Sequence, residues 1–307
     1  MQPALCSYPT PQLLFFSDNV PKLVYYSHLP IIFIALLLGF FVFKKGKGSL
    51  PNKIMFSTLL AFAVWVILDS VFWAANRSDV IMFVWSLQVL IEPLVHVSAL
   101  YLLQVLVNKR DTAFGQKIVL FLLYVPIIML APTQYILSGF DLSTCLSNET
   151  IFSYYTYVLE IIFTIWILVF GLVKYKQAVT KEKKKEIMYL TLGIIFFLIA
   201  FSWGAITGSF TEDWNLAQAG LIGMPIFAIF LVYTIVKYKT FHMKLMASQA
   251  LVVALVILIG AQFAFIQNNT SRILNGFTFL GAIIFGILLI KSVKREVEQR
   301  ERLEKLT

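Results

Sequence analysis

The sequence predicts an all-α, polytopic membrane protein: about nine transmembrane helices in a bundle, N-terminus outside, C-terminus cytoplasmic. Three observations predict it. Of the 307 residues, 59% are hydrophobic and only 13% are charged, against an apolar share of ~45–50% in soluble domains. Mean hydropathy is +0.83, which leaves too little polar surface to cover a soluble core. The apolar residues also fall in runs of about 20, the length a helix needs to cross a bilayer. This balance excludes soluble enzymes, nucleic-acid readers and disordered chains. The net charge of +9 therefore belongs to the loops of a membrane protein.

Nine apolar runs lie near 23–43, 54–75, 80–107, 117–137, 152–173, 187–207, 218–236, 248–266 and 273–291. Runs this long, without strand-type alternation, are helices that satisfy their own backbone. Residues 1–22 have no basic stretch ahead of an apolar one, so an external tail is expected rather than a cleaved signal. All of the 25 Lys and Arg residues except Lys22, Arg77 and Arg272 fall on one side of the alternating spans. The positive-inside rule makes that side cytoplasmic. The opposite loops read "NRSD", "GFDLSTCLSNET", "SFTEDWN" and "QNNTS", acidic or neutral and rich in turn formers. Cys6 and Cys145 both fall outside, where a disulfide persists. A bridge and two unpaired cysteines remain equally compatible, because spacing does not supply the geometry. The expected location is a prokaryotic plasma membrane, crossed many times.

Asp69, Glu92 and Glu160 are the only acids within the spans. A charge near the bilayer centre costs ~2.5–3.5 kcal/mol on insertion scales, so each is a candidate functional residue. Gln88, Glu92 and His96 recur at helical spacing along one stripe of the third span. Pro93, set among them, removes a backbone hydrogen bond and predicts a kink. Trp73, Trp85 and Trp203 lie towards the outer ends of their spans. Together these residues predict an outward-opening pocket with an aromatic rim and an acidic floor, binding a ligand or sensing protons. Interhelical hydrogen bonding with an interfacial tryptophan belt explains the same residues, and an ion pathway is a third reading. Enzyme chemistry finds no motif: H-E-x-x-H, Walker A and G-x-S-x-G are all missing. Glu92 and His96 supply fewer ligands than the three zinc usually takes from protein. No catalytic residue, cofactor or metal is expected.

After Ile290 the sequence turns into "KSVKREVEQRERLEKLT", good helix formers with no Pro or Gly. The ninth span is expected to continue into the cytoplasm as a signalling helix over 292–307. Val293, Val297, Leu303 and Leu306 give that helix an apolar edge suited to a parallel coiled coil, and hence to a homodimer.

The segment "GLIGMPIFAIFLVYTIVKYKTFHMKLMASQALV" (220–252) resembles the end of the seven-helix N-terminal sensor region of bacterial and archaeal membrane histidine kinases. "GFDLSTC" followed by "YYTYVLEIIF" fits the same pattern, as does the exit "SVKREVEQRERLEKL". The resemblance covers most of the chain from about residue 28 onward. It implies a sensor that passes its signal to a kinase core. No phosphoacceptor box or ATP-binding domain occurs in the sequence, so that core is expected downstream or on another chain. The resemblance supplies no ligand residues.

The implied organisation is an external tail (1–22), a seven-helix sensor bundle (23–236), a link with two further spans (237–291) and the signalling helix (292–307). The expected function is a membrane-embedded sensor module of two-component type. It would answer an external or membrane-borne ligand, a proton or an ion. A transporter or channel subunit is the alternative, although no self-similar halves are visible. Expected partners are the bilayer, a small-molecule ligand, a second copy through the last helix, and a downstream kinase or response-regulator pathway. Nucleic acid is not among them.

Overall fold

The computed structural model describes residues 4–7, 10–18, 20–45, 49–131 and 133–211, with seven positions between 280 and 295. Six helices and one hairpin follow in order: α1 (Lys22–Lys45), α2 (Leu50–Ala74), α3 (Ser78–Asn108), α4 (Phe114–Leu130), β1 (Leu137–Asp141), β2 (Leu146–Glu149), α5 (Ile151–Gln177) and α6 (Lys181–Thr211). All of these helices except α4 are long and apolar enough to cross a membrane. They correspond to the first six predicted spans. The last three, apart from those scattered positions, lie outside the described residues. So do the seam residues Val293, Val297, Leu303 and Leu306, and the expected boundary at 236.

Local chemistry sets the helix ends. Pro51 sits in the first turn of α2, where its missing N–H leaves no bond unmade. Lys109 closes α3 in a left-handed conformation, φ 53°, with its N–H on the Val105 carbonyl. Thr150 caps α5 by accepting from the Phe152 N–H, and Lys174 and Lys176 lie in its last turn, where cations favour the helix dipole. The helix α6 starts at Lys181, ahead of the apolar run at 187, because "KEKKKE" is itself a good helix former.

The fourth span differs from expectation. It was predicted over 117–137, yet α4 ends at Leu130. Proline 132 has no N–H to continue the ladder, and the Thr133 N–H and hydroxyl both turn back to the Leu130 carbonyl. The chain then enters an antiparallel hairpin, β1 against β2, with an irregularity between Leu137 and Phe140. Composition alone presented this segment as a loop.

The helix α3 is central: it packs against α2, α4, α5 and α6, while α1 lies on α2 and α5 on α6. Phe62, Leu100, Leu103, Phe163 and Phe201 fill the interior. Phe121, Leu122, Ile161 and Leu172 point outwards and exposed, as apolar side chains do where the solvent is lipid. The contact of α5 with α6 is close at Gly171, where a Cβ would overlap the Thr191 side chain.

One end of the bundle is tied together covalently. Cys6 and Cys145 form a disulfide, Cα–Cα 5.8 Å, joining the N-terminal tail to the hairpin. The same tail pairs with the α2–α3 loop: the Cys6 N–H donates to the Asn76 carbonyl and the Ser78 N–H to that of Ala4. Tail, α2–α3 loop and hairpin therefore share one end, as up-and-down helices require.

Candidate functional site

Polar side chains from five helices meet inside the apolar bundle. The upper part joins α1, α2 and α3. Asp69, with 13% of its side chain exposed, accepts at one oxygen from His28 Nε2 at 2.7 Å. Its other oxygen accepts from Gln88 Nε2 at 2.9 Å. The second nitrogen of His28 meets the Ser27 hydroxyl at 2.8 Å, and that hydroxyl also lies 3.0 Å from the Val24 carbonyl. A hydroxyl has one proton to give. It goes either to the Val24 carbonyl or to the His28 ring.

One turn further along α3 the surroundings change. Glu92 is 6% exposed and Glu160, on α5, is 1% exposed. Among the described residues, neither Glu160 oxygen has a hydrogen-bond partner, and one oxygen of Glu92 has none. Among the described residues, the ionisable side chains nearest in effect to Glu92 are the acids Glu160, Asp69 and Glu149. His96, on the next turn, does not pair with the Glu92 carboxyl. Its Nδ1 lies 3.0 Å from the Glu92 backbone carbonyl, and its Nε2 lies 3.1 Å from the Ser202 hydroxyl of α6. The carbonyl can only accept, so Nδ1 carries a proton and the ring's other nitrogen faces the Ser202 hydroxyl. Ser202 also stands close to the Glu160 carboxyl. One serine thus brings α3 and α5 to α6.

An aromatic cluster floors this region. Phe201 lies tilted against His96 at 6.0 Å and edge-on to Trp65 at 4.6 Å, and Phe62 meets both Phe197 and Phe201 edge-on. Edge-to-face rings at these separations pack densely.

The predicted residues thus separate into two groups. Asp69 and Gln88 are bonded together, His96 and Glu160 meet at Ser202, and Glu92 lies one turn before His96. Trp85 stacks edge-on against Phe72 at 5.3 Å, and Trp73 is partly buried against the main core. Trp203 follows Ser202 directly and is 40% exposed. Adjacent helical residues point about 100° apart, so Trp203 turns away from the direction Ser202 takes. Pro93 is buried within α3, which continues unbroken to Asn108.

Two members of the site carry little sequence signal. His28 is a lone histidine in the first span, and its partner lies 41 residues away. Ser202 is an ordinary serine in an apolar run, made important only by its orientation. Among the described residues, no group of three or more His, Cys, Asp or Glu is placed to hold a metal ion. No family model, curated protein or solved structure matches the chain.

Proposed function

We propose that the chain is a membrane-embedded sensor module in which the polar stripe of α3 receives the input and the last span carries it to a cytoplasmic output helix. One observation carries this reading: Glu92 and Glu160 are buried in the bundle with carboxyl oxygens that no partner among the described residues satisfies. A buried polar group without a partner costs about 1–3 kcal/mol in proteins, so an apolar bundle retains such groups at the expense of stability. A bound ligand, a proton or a cation would relieve that cost in one conformation more than in another, and differential affinity is what shifts a two-state equilibrium. Ser202 and His96 give the input a route between helices, because they tie α6 to α3 at the level of Glu160. The resemblance to histidine-kinase sensor regions supports the same reading, and with it a location in a prokaryotic plasma membrane and a kinase or response-regulator pathway as partner.

The test joins a soluble histidine-kinase core in frame after Thr307 and follows autophosphorylation in membrane vesicles across a step in external pH. A sensor changes its output across the step, and Glu92→Gln or Glu160→Gln abolishes the change while the lipid-facing Phe121→Ala does not. Unchanged output in both carboxyl variants would return the stripe to packing. Solute flux in proteoliposomes that depends on Glu160 would instead favour the transporter.

A further inference from the structure

A cavity of about 470 Å³ lies between α3 and α4, bounded by the segment leading into β1. It has the size of a small-molecule site, ~300–1,000 Å³. At about 100° per residue, its α3 wall faces away from the Gln88, Glu92 and His96 stripe, so it is separate from the proposed sensing site. It exists because α4 stops at Leu130: the chain turns through Thr133 and Gln134 instead of packing along the first turns of α3.

The walls are apolar, with Phe83, Leu87, Leu90, Ile128 and Leu137 among them, and no charged side chain among the described residues lines the cavity. Phe83 is 65% and Ile128 45% exposed, so the cleft opens on the outer face of the bundle, where the surrounding medium is lipid. Its polar lining is Ser86, Thr133 and Gln134. The Ser86 hydroxyl donates to the Met82 carbonyl at 2.8 Å and that of Thr133 to the Leu130 carbonyl at 2.6 Å. With their protons so committed, the Ser86 oxygen keeps its acceptor capacity, and the Thr133 oxygen, which also accepts from the Tyr135 N–H at 3.3 Å, keeps part of it. Among the described residues a carboxylate or phosphate there would meet two hydroxyl oxygens, one neutral amide and no cation, whereas an uncharged head bearing hydroxyl protons is complemented. The Gln134 amide, able to donate and accept, lies just beyond the end of α4 on the hairpin side.

We infer that this cleft binds an uncharged, hydroxyl-bearing amphiphile of the monoacylglycerol class, drawn from the membrane leaflet on the hairpin side. The acyl chain lies between Phe83, Leu90 and Ile128, and the glycerol hydroxyls donate to Thr133 and Ser86. The inference rests on the membrane setting and is independent of the sensor reading.

The test uses the full-length protein in phosphatidylcholine nanodiscs with a monoacylglycerol carrying a diazirine in its chain, and crosslinked residues are mapped by mass spectrometry. Labelling should saturate, concentrate within residues 82–90 and 128–137, and be displaced by unlabelled monoacylglycerol but not by an equal amount of fatty acid. Leu87→Trp, which fills the cleft, should reduce it several-fold, while Phe121→Trp on the exposed face of α4 leaves it unchanged. Thr133→Val keeps the volume and removes the acceptor, so it should abolish the preference over fatty acid even if the tryptophan variant folds poorly. Unsaturable labelling spread along the exposed faces of α4 and α5 would reduce the cleft to ordinary lipid contact and overturn the proposal. Equal displacement by fatty acid would overturn the head-group assignment.

Discussion

Asp69 shows what one residue does in a low-dielectric bundle. Its two oxygens satisfy donors from two other helices, His28 and Gln88, so it fastens three helices at one point. Asp69→Ala leaves both donors buried and unpaired, which costs about 1–3 kcal/mol for each group. The expected outcome is a clearly lower unfolding temperature in nanodiscs, with Asp69→Asn intermediate. An unchanged midpoint for Asp69→Ala would mean that the network contributes nothing. Gly171 makes a second case, since an added Cβ overlaps Thr191. Gly171→Ala should destabilise by about 1–3 kcal/mol, as overpacking does, and Thr191→Ala in the same chain should recover part of it. Thermal unfolding of the single and double variants decides whether the two residues are coupled. At this scale most of the site was legible in the sequence. Asp69, Gln88, Glu92, His96 and Glu160 stand out because a polar residue in an apolar run needs a reason. His28 and Ser202 do not, because their importance comes from a partner on another helix, and periodicity within one helix does not reveal which neighbour it meets.

Elements were legible where one physical rule sets them. The first six apolar runs became helices because a bilayer leaves the backbone no other solution. Their ends moved where polar helix formers extend the helix, as at Lys181, or where a proline stops it, as after Leu130. The hairpin escaped notice because "GFDLSTCLSNET" is short, polar and turn-rich; strand pairing and the Ser147 hydroxyl on the Gly139 carbonyl hold its register, and the disulfide ties it to the tail. That disulfide closes a separation of 139 residues. Because inserted helices already constrain the unfolded chain, Cys6→Ala with Cys145→Ala is expected at the low end of the usual range, about 2 kcal/mol. Hydrogen exchange should rise in the tail and hairpin, and equal exchange with and without the bridge would contradict the clamp. The α3–α4 loop has its own pH dependence. The Lys117 ammonium, and then the Tyr101 hydroxyl, hold the Asp111 carboxyl below the usual carboxylate range. A lowered value stabilises the folded loop above the unfolded carboxylate's range, and that contribution is lost as pH falls through the lowered value. Exchange of the Thr112 amide, which donates to Asp111, should therefore increase only in acid, and Asp111→Asn should remove that increase.

For the whole molecule, the tail, the α2–α3 loop and the hairpin gather at one end, and an up-and-down path follows. The charge distribution orients that path: single cysteines at Lys183 and Lys294 should resist an impermeant reagent in intact cells, whereas one at Leu142 should react. Labelling at 294 from outside would reverse the orientation and remove the basis for a cytoplasmic output. The sensor reading adds a stronger demand, that the buried stripe and the distant output helix form one system. Only a bistable element biased from both ends satisfies it. The most direct measurement is disulfide crosslinking at Val293→Cys and Val297→Cys in native membranes, comparing the wild-type bundle with Glu92→Gln and Glu160→Gln. The account predicts crosslinking at these positions above that at Arg295→Cys, and a redistribution between them when either carboxyl is neutralised. Crosslinking that is absent, or identical in all three proteins, would contradict the account.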